Sequence, residues 1–232
     1  MGGGDSLVLF VHGAHHAGWC WLLVMDRLER MGIASHAIDL PFTGYDDDVV
    51  AVREAIAAAG SRGAAVHVVC HSYAGLPVAA GGHGAAHLTF VAGRVPLPGE
   101  SPASATPRWG APGFRDCMVR GADGVVRLSP AAGGFLFHRT SASLARFAAA
   151  QLRPMRSEVP SEPVTDPAWQ SVPSSYVVCG DDRAVLPEAQ RERAALVGRS
   201  VELDSDHSPF LSRVPELAGA LADQHRAMVA AA

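Results

Sequence analysis

Three stretches of the sequence hold residue types that can work together as a nucleophile, a base and an acid. Val66-His67-Val68-Val69-Cys70 is an apolar run leading into His71-Ser72-Tyr73-Ala74-Gly75, so Ser72 has small residues, Cys70 and Ala74, two positions to either side. Where a strand turns sharply into a helix, the apex serine is forced into a strained backbone that lifts its hydroxyl above the sheet edge. The flanking positions must then be small for the turn to close. Strict Gly-x-Ser-x-Gly is not met, because Cys70 stands where the first glycine would be, and a serine in this setting also suits an ordinary helix cap. A nucleophilic serine needs a base, and Asp206-His207-Ser208-Pro209-Phe210 places an imidazole just after the last apolar run. That imidazole needs a carboxylate to fix its tautomer, and Val177-Val178-Cys179-Gly180-Asp181-Asp182 ends the preceding run in two acids. The order serine, acid, histidine at successive strand ends points to acyl transfer through a covalent serine intermediate.

This chemistry also needs backbone N–H donors for the oxyanion. Tyr73, next to the serine, supplies one, and Ala14 in the turn Val11-His12-Gly13-Ala14 is the candidate for the second. His15, His16, Trp19 and Trp21 follow that turn, so one or two of them line an acyl pocket while the rest pack on the helix, and His71 beside the serine is a further pocket candidate. Cys70 lies two residues before the apex on a buried strand and reads as a small core residue rather than a nucleophile. Eleven histidines invite a metal, notably His12, His15 and His16, or His83 and His87 at helical spacing. No HExxH or compact acid-histidine cluster accompanies them, so no metal is expected.

The elements that must position these residues follow from periodicity. Short apolar runs at 6–11, 33–38, 66–70, 88–92, 175–179 and 200–203 read as strands, and they alternate with segments of helical period. That alternation is the sequence form of a parallel sheet covered by helices, an α/β class. Trp21, Met25 and Leu28 mark one face of a helix, a second covers 47–59 with its aspartates at the N-terminus, and a last one covers 215–229 with Pro215 in its first turn. Residues 95–174 break the rhythm: a proline-rich opening, a hairpin turn at Asp123-Gly124, a helix over 141–152 and a second proline-rich stretch. They read as an insertion capping a core made of 1–94 and 175–232. Within the cap, Phe135, Phe137, His138 and Phe147 can face a substrate or equally pack within the cap.

Composition narrows the function further. The 232 residues include no lysine, and the nineteen arginines are scattered, so a basic face for nucleic acid, a Schiff-base lysine and a Walker-type phosphate loop are all excluded. No apolar run approaches the roughly 18 residues of a membrane span. Met1-Gly2 with Ser6 matches a loose myristoylation pattern, but a strand starting at Leu7 leaves almost no tether. Four well-separated cysteines, Cys20, Cys70, Cys117 and Cys179, fit a reducing, cytoplasmic setting.

The segments VHGAHHAGWCW, CHSYAG, DGVVRLSP, SYVVCGDDRAVLPEAQ and DHSPFLSRVPEL resemble the α/β-hydrolase superfamily, in particular the small esterase branch that also holds plant methylesterases and hydroxynitrile lyases. The resemblance covers nearly the whole chain and is weakest over 97–121. It implies an α/β-hydrolase fold with a six-stranded, mainly parallel sheet, a small cap, no cofactor, and a triad of Ser72, Asp182 and His207. The match of the DRAVLPE segment selects Asp182 over Asp181 as the acid. Lyases of this branch carry a threonine, a glutamate and a lysine where this chain has Gly13, His71 and Ser208. With no cation at Ser208 to meet departing cyanide, hydrolysis of a small ester is favoured over cyanohydrin cleavage. A ligand-binding or natural-product tailoring protein on the same fold is the other alternative. A homodimer is compatible with the sequence, which does not specify the oligomeric state.

Overall fold

The computed structural model describes residues 6–156, 158 and 160–231. Gly2, and with it the myristoylation pattern, lies outside the described residues. Strands β1 (Ser6–Val11), β2 (Ser35–Ile38), β3 (Ala65–His71) and β4 (His87–Val91) are joined by helices α1 (Leu22–Arg30), α2 (Tyr45–Gly60) and α3 (Gly75–Gly81). After β4 come α4 (Pro102–Trp109), a hairpin of β5 (Met118–Arg120) and β6 (Val126–Leu128), α5 (Gly133–Leu136) and α6 (Ala142–Ala150). The chain then returns through β7 (Ser174–Cys179), α7 (Pro187–Val197), β8 (Arg199–Leu203), α8 (Pro209–Ser212) and α9 (Val214–Ala231). The main sheet runs β2-β1-β3-β4-β7-β8 with every neighbouring pair parallel.

Alternation along the strands feeds two cores. Leu9, Val68, Cys70, Phe90 and Tyr176 face one side, packing with Val52 and Ile56 of α2, Leu76 of α3 and Ala194 of α7. Val8, Phe10, Val69, Val177 and Cys179 face the other, packing with Trp21, Leu28 and the α9 residues Leu217 and Leu221. Each valine, leucine, isoleucine or phenylalanine among them, when fully buried, contributes about 1.5–3 kcal/mol. Residues between β4 and β7 build a third cluster from Phe114, Leu136, Phe137 and Ala148, with Trp19 and Leu211 of the main body packed against it.

The strands lie where the apolar runs predict them, with two instructive differences at their ends. The second strand begins at Ser35 rather than 33, because the Ile33 N–H turns back to the Leu28 carbonyl at 2.9 Å and closes α1, with Gly32 at φ 75° making the reversal. The fourth ends at Val91 rather than 92, since Ala92 takes φ 45° and bends the chain out of the sheet. The second helix starts at Tyr45, and only part of its acidic run faces solvent: Asp48 is buried.

Candidate active site

In a parallel sheet, loops leaving the C-terminal ends of the strands gather on one edge. Here they bring together the His12–Ala14 turn after β1, Ser72 after β3, Asp182 after β7 and His207 after β8. Ser72 takes φ 52°, the left-handed region that L-residues avoid, at the junction between β3 and the turn leading into α3. Tight packing holds it there. Cys70 and Ala74 are fully buried, the Ser72 carbonyl accepts from the Arg94 N–H at 3.0 Å, and a Cβ at Gly75 would fall 2.4 Å from the Arg94 carbonyl oxygen. Glycine at 75 is therefore required by close backbone approach.

Asp182 is buried and saturated. Its Oδ1 accepts from the backbone N–H groups of Ala184 (2.7 Å) and Val185 (2.9 Å), and its Oδ2 from Gln190 Nε2 (2.8 Å) and His207 Nδ1 (2.7 Å). With Nδ1–H spent on Asp182, the neutral imidazole of His207 presents Nε2 as a lone pair. The other acids on this edge do different work. Asp181 accepts from His138 Nε2 and Arg139 Nη1, both at 3.1 Å, and the His138 bond above all lowers its pKa. Asp206 accepts from the Ser208 N–H, Ser212 Oγ and the Arg139 N–H. Through Arg139, which also grips Asp204 at 2.6 Å and 2.7 Å, the segment between β4 and β7 is pinned to the strand ends.

Gly13 brings the first turn onto the serine. A Cβ there would lie 2.5 Å from His71 Nδ1 and 3.1 Å from Ser72 Cβ, so only glycine lets this backbone approach so closely. His12 is locked as the Nδ1–H tautomer, donating to the Gly13 carbonyl at 2.9 Å while Nε2 accepts from the Leu40 N–H at 2.9 Å. Burial lowers its pKa to about 4. His16 donates from Nδ1 to the Ala14 carbonyl at 2.8 Å, and burial lowers its pKa to about 3. His71 donates from Nε2 to the His207 carbonyl at 2.8 Å, its ring 4.5 Å from that of His207. Burial first, and then its neighbour His207, push the His71 pKa well down.

Among the predicted pocket residues, His16, His71 and Phe137 come together: the His16 ring lies 5.9 Å from His71 and 6.0 Å from Phe137, with Phe210 at 5.7 Å. Trp19 stacks on His16 and meets Phe147 edge-on. Phe135 packs on Phe114 within the third cluster, and the His15 side chain is engaged with the Arg153 carbonyl. His83 and His87 separate, bonding the Asp166 carbonyl and Ser175 Oγ. Two residues escaped sequence reasoning. Gln190 braces Asp182 from α7, and Asp48 accepts the Tyr73 hydroxyl at 2.6 Å and the Phe42 N–H at 3.0 Å. An acid run at a helix start hides a buried acceptor, and no periodicity marks a lone glutamine.

A family model described as the alpha/beta hydrolase family matches residues 8–220. The chain is 26% identical to alpha/beta hydrolase nvfD of Aspergillus novofumigatus (strain IBT 16806), over 90% of this chain and 92% of that protein. It is 27% identical to esterase PIR7B of Oryza sativa subsp. japonica, over 90% and 91%. The solved structure of polyneuridine aldehyde esterase superposes with a TM-score of 0.77 at 19% identity, covering 94% of this chain and 98% of that one. With the parallel six-stranded sheet and a family match across most of its length, this chain belongs to the alpha/beta hydrolase family.

Proposed function

We propose that this protein is a serine esterase that hydrolyses a small carboxylic ester through an acyl-enzyme, with Ser72 as nucleophile, His207 as general base and acid, and Asp182 as the carboxylate that orients it. The observation that carries this reading is the 2.7 Å bond from His207 Nδ1 to the buried, fully satisfied Asp182, on the same sheet edge as the strained Ser72. His207 Nε2 takes the Ser72 proton as Oγ attacks the ester carbonyl, and the oxyanion is met by the amides of Tyr73 and Ala14. The protonated imidazole returns that proton to the leaving alcohol. Water, activated by the same base, then releases the carboxylic acid.

Residues 95–174 act as a cap over this edge, and the ring cluster of His16 with Trp19, His71 and Phe137 beneath it favours a compact, uncharged substrate. The reaction needs no cofactor. Four buried, free thiols suit a reducing, cytoplasmic setting.

Turnover of p-nitrophenyl acetate by the wild type and by Ser72→Ala tests this. A fall to background in the variant supports the triad, and unchanged turnover rejects it.

A further inference from the structure

His15, directly after the proposed oxyanion donor Ala14, takes φ 64°, so the first turn leaves β1 through a left-handed step. It is held by two reciprocal bonds to one residue of the segment between β4 and β7. The Arg153 N–H donates to the His15 carbonyl at 2.6 Å, and His15 Nδ1 donates to the Arg153 carbonyl at 2.9 Å. A carbonyl can only accept, so Nδ1 carries the proton; the imidazole is buried, and burial lowers its pKa. Arg153 extends the grip further. Its guanidinium donates to the Leu40 carbonyl at 3.3 Å and lies 5.1 Å over the Phe42 ring. Phe42 in turn gives its N–H to Asp48, which holds the hydroxyl of Tyr73, the residue of the other oxyanion amide. One residue of the capping segment thus touches the turn after β1 directly and, through the loop after β2 and Asp48, is linked to Tyr73.

We propose that His15 is a positioning residue that latches the capping segment at Arg153 and thereby holds the 13–16 turn, with the Ala14 amide, in register with Ser72. The inference rests on the reading of Ala14 as an oxyanion donor. Seating the segment over the site and completing the oxyanion hole are then one event. A lifted segment releases His15 and leaves the turn without its outer support, so catalysis is confined to the closed arrangement.

Three variants separate the latch from mere bulk. His15→Gly removes the donor while relieving the positive φ. His15→Asn keeps both a donor near the Nδ1 position and tolerance of that φ, and His15→Ala loses the donor and adds strain. The readouts are kcat and KM on p-nitrophenyl acetate, the rate of Ser72 labelling by a fluorophosphonate, the unfolding midpoint, and amide hydrogen exchange at 152–156 and 13–17. In His15→Gly the protein stays folded, exchange at both stretches rises, and kcat and labelling fall about ten-fold or more while KM changes by less than about three-fold. His15→Asn recovers kcat to within about three-fold of wild type, and His15→Ala does not.

Faster exchange in His15→Gly with unchanged kcat overturns the positioning role. So does a His15→Asn variant as impaired as His15→Gly, which would give the imidazole itself a different task. A wild-type protein that neither turns over the ester nor labels at Ser72 would instead remove the esterase reading, and this inference with it.

Discussion

Gln190 Nε2 and His207 Nδ1 donate to the same oxygen of Asp182, Oδ2, at 2.8 Å and 2.7 Å. Gln190 also donates to the Val185 carbonyl at 2.9 Å and accepts the Cys179 N–H at 2.8 Å, so one buried amide ties the end of β7, the loop after it and the acid into a single unit. The direction of the carboxylate, and through it the pose of the imidazole, is thereby set from α7. Replacing Gln190 by Ala is expected to lower kcat about ten-fold while KM moves little, since the acid remains but its aim loosens. It also leaves the Cys179 N–H unpaired, at a cost of about 1–3 kcal/mol. Steady-state kinetics and urea unfolding of the same preparation separate the two effects.

The two neighbouring aspartates should behave oppositely. Asp182→Asn is expected to reduce kcat by about four orders of magnitude, the scale seen when a triad carboxylate becomes an amide and the wrong tautomer is favoured. Asp181 faces His138 and Arg139 instead of His207, so under the proposed triad Asp181→Asn should keep kcat within about three-fold. Reversed ranks would move the acid to 181.

Asp48 and Tyr73 form a buried pair whose removal should cost stability. Asp48→Ala leaves the Tyr73 hydroxyl and the Phe42 N–H without their acceptor, each worth about 1–3 kcal/mol when stranded. Burial raises the Asp48 pKa, so Asp48→Asn, which keeps an acceptor oxygen at lower desolvation cost, should be milder than the alanine change. Chemical denaturation of the two variants checks the order.

The buried histidines predict an acid-side loss of stability that starts early. His12 and His16 have folded-state pKa values near 4 and near 3, against 6.5 for the ordinary side chain. Below about pH 6.5 the unfolded chain gains protons that the folded chain refuses, so stability falls as the pH drops, and above that pH these groups contribute no slope. Between pH 7 and 5 the loss should be about 2 kcal/mol for each of the two, well before ordinary carboxylates titrate. Unfolding free energies measured at fixed ionic strength across this window test it, and a flat profile would contradict the burial assigned to these rings.

How much of this could be read from sequence follows from how each feature is encoded. Strand positions are local patterns, and so are the small residues around Ser72 and the acid-histidine order at strand ends, so the α/β sheet and the three candidate groups were legible. Strand ends were less so, because a backbone bond draws Ile33 into closing α1 and Ala92 turns at φ 45°, neither of which hydrophobicity marks. Gln190, Asp48 and the His15–Arg153 pair were not legible. Each acts through partners distant in sequence or on another element, His15 and Arg153 standing 138 positions apart, and a lone polar residue in a helix or turn has no period to betray them. The sequence places His15 beside the first turn among the pocket candidates, but nothing in it marks the bond from its ring to the Arg153 carbonyl.

The most direct test of the central claim is to catch the covalent intermediate. Wild-type protein mixed with p-nitrophenyl acetate, quenched in acid within the first turnovers and mapped by peptide mass spectrometry should carry one acetyl group on Ser72, and His207→Ala should fail to acquire it. Acetyl on another residue, or steady turnover with Ser72 unmodified at every quench time, would contradict an acyl-enzyme at this serine.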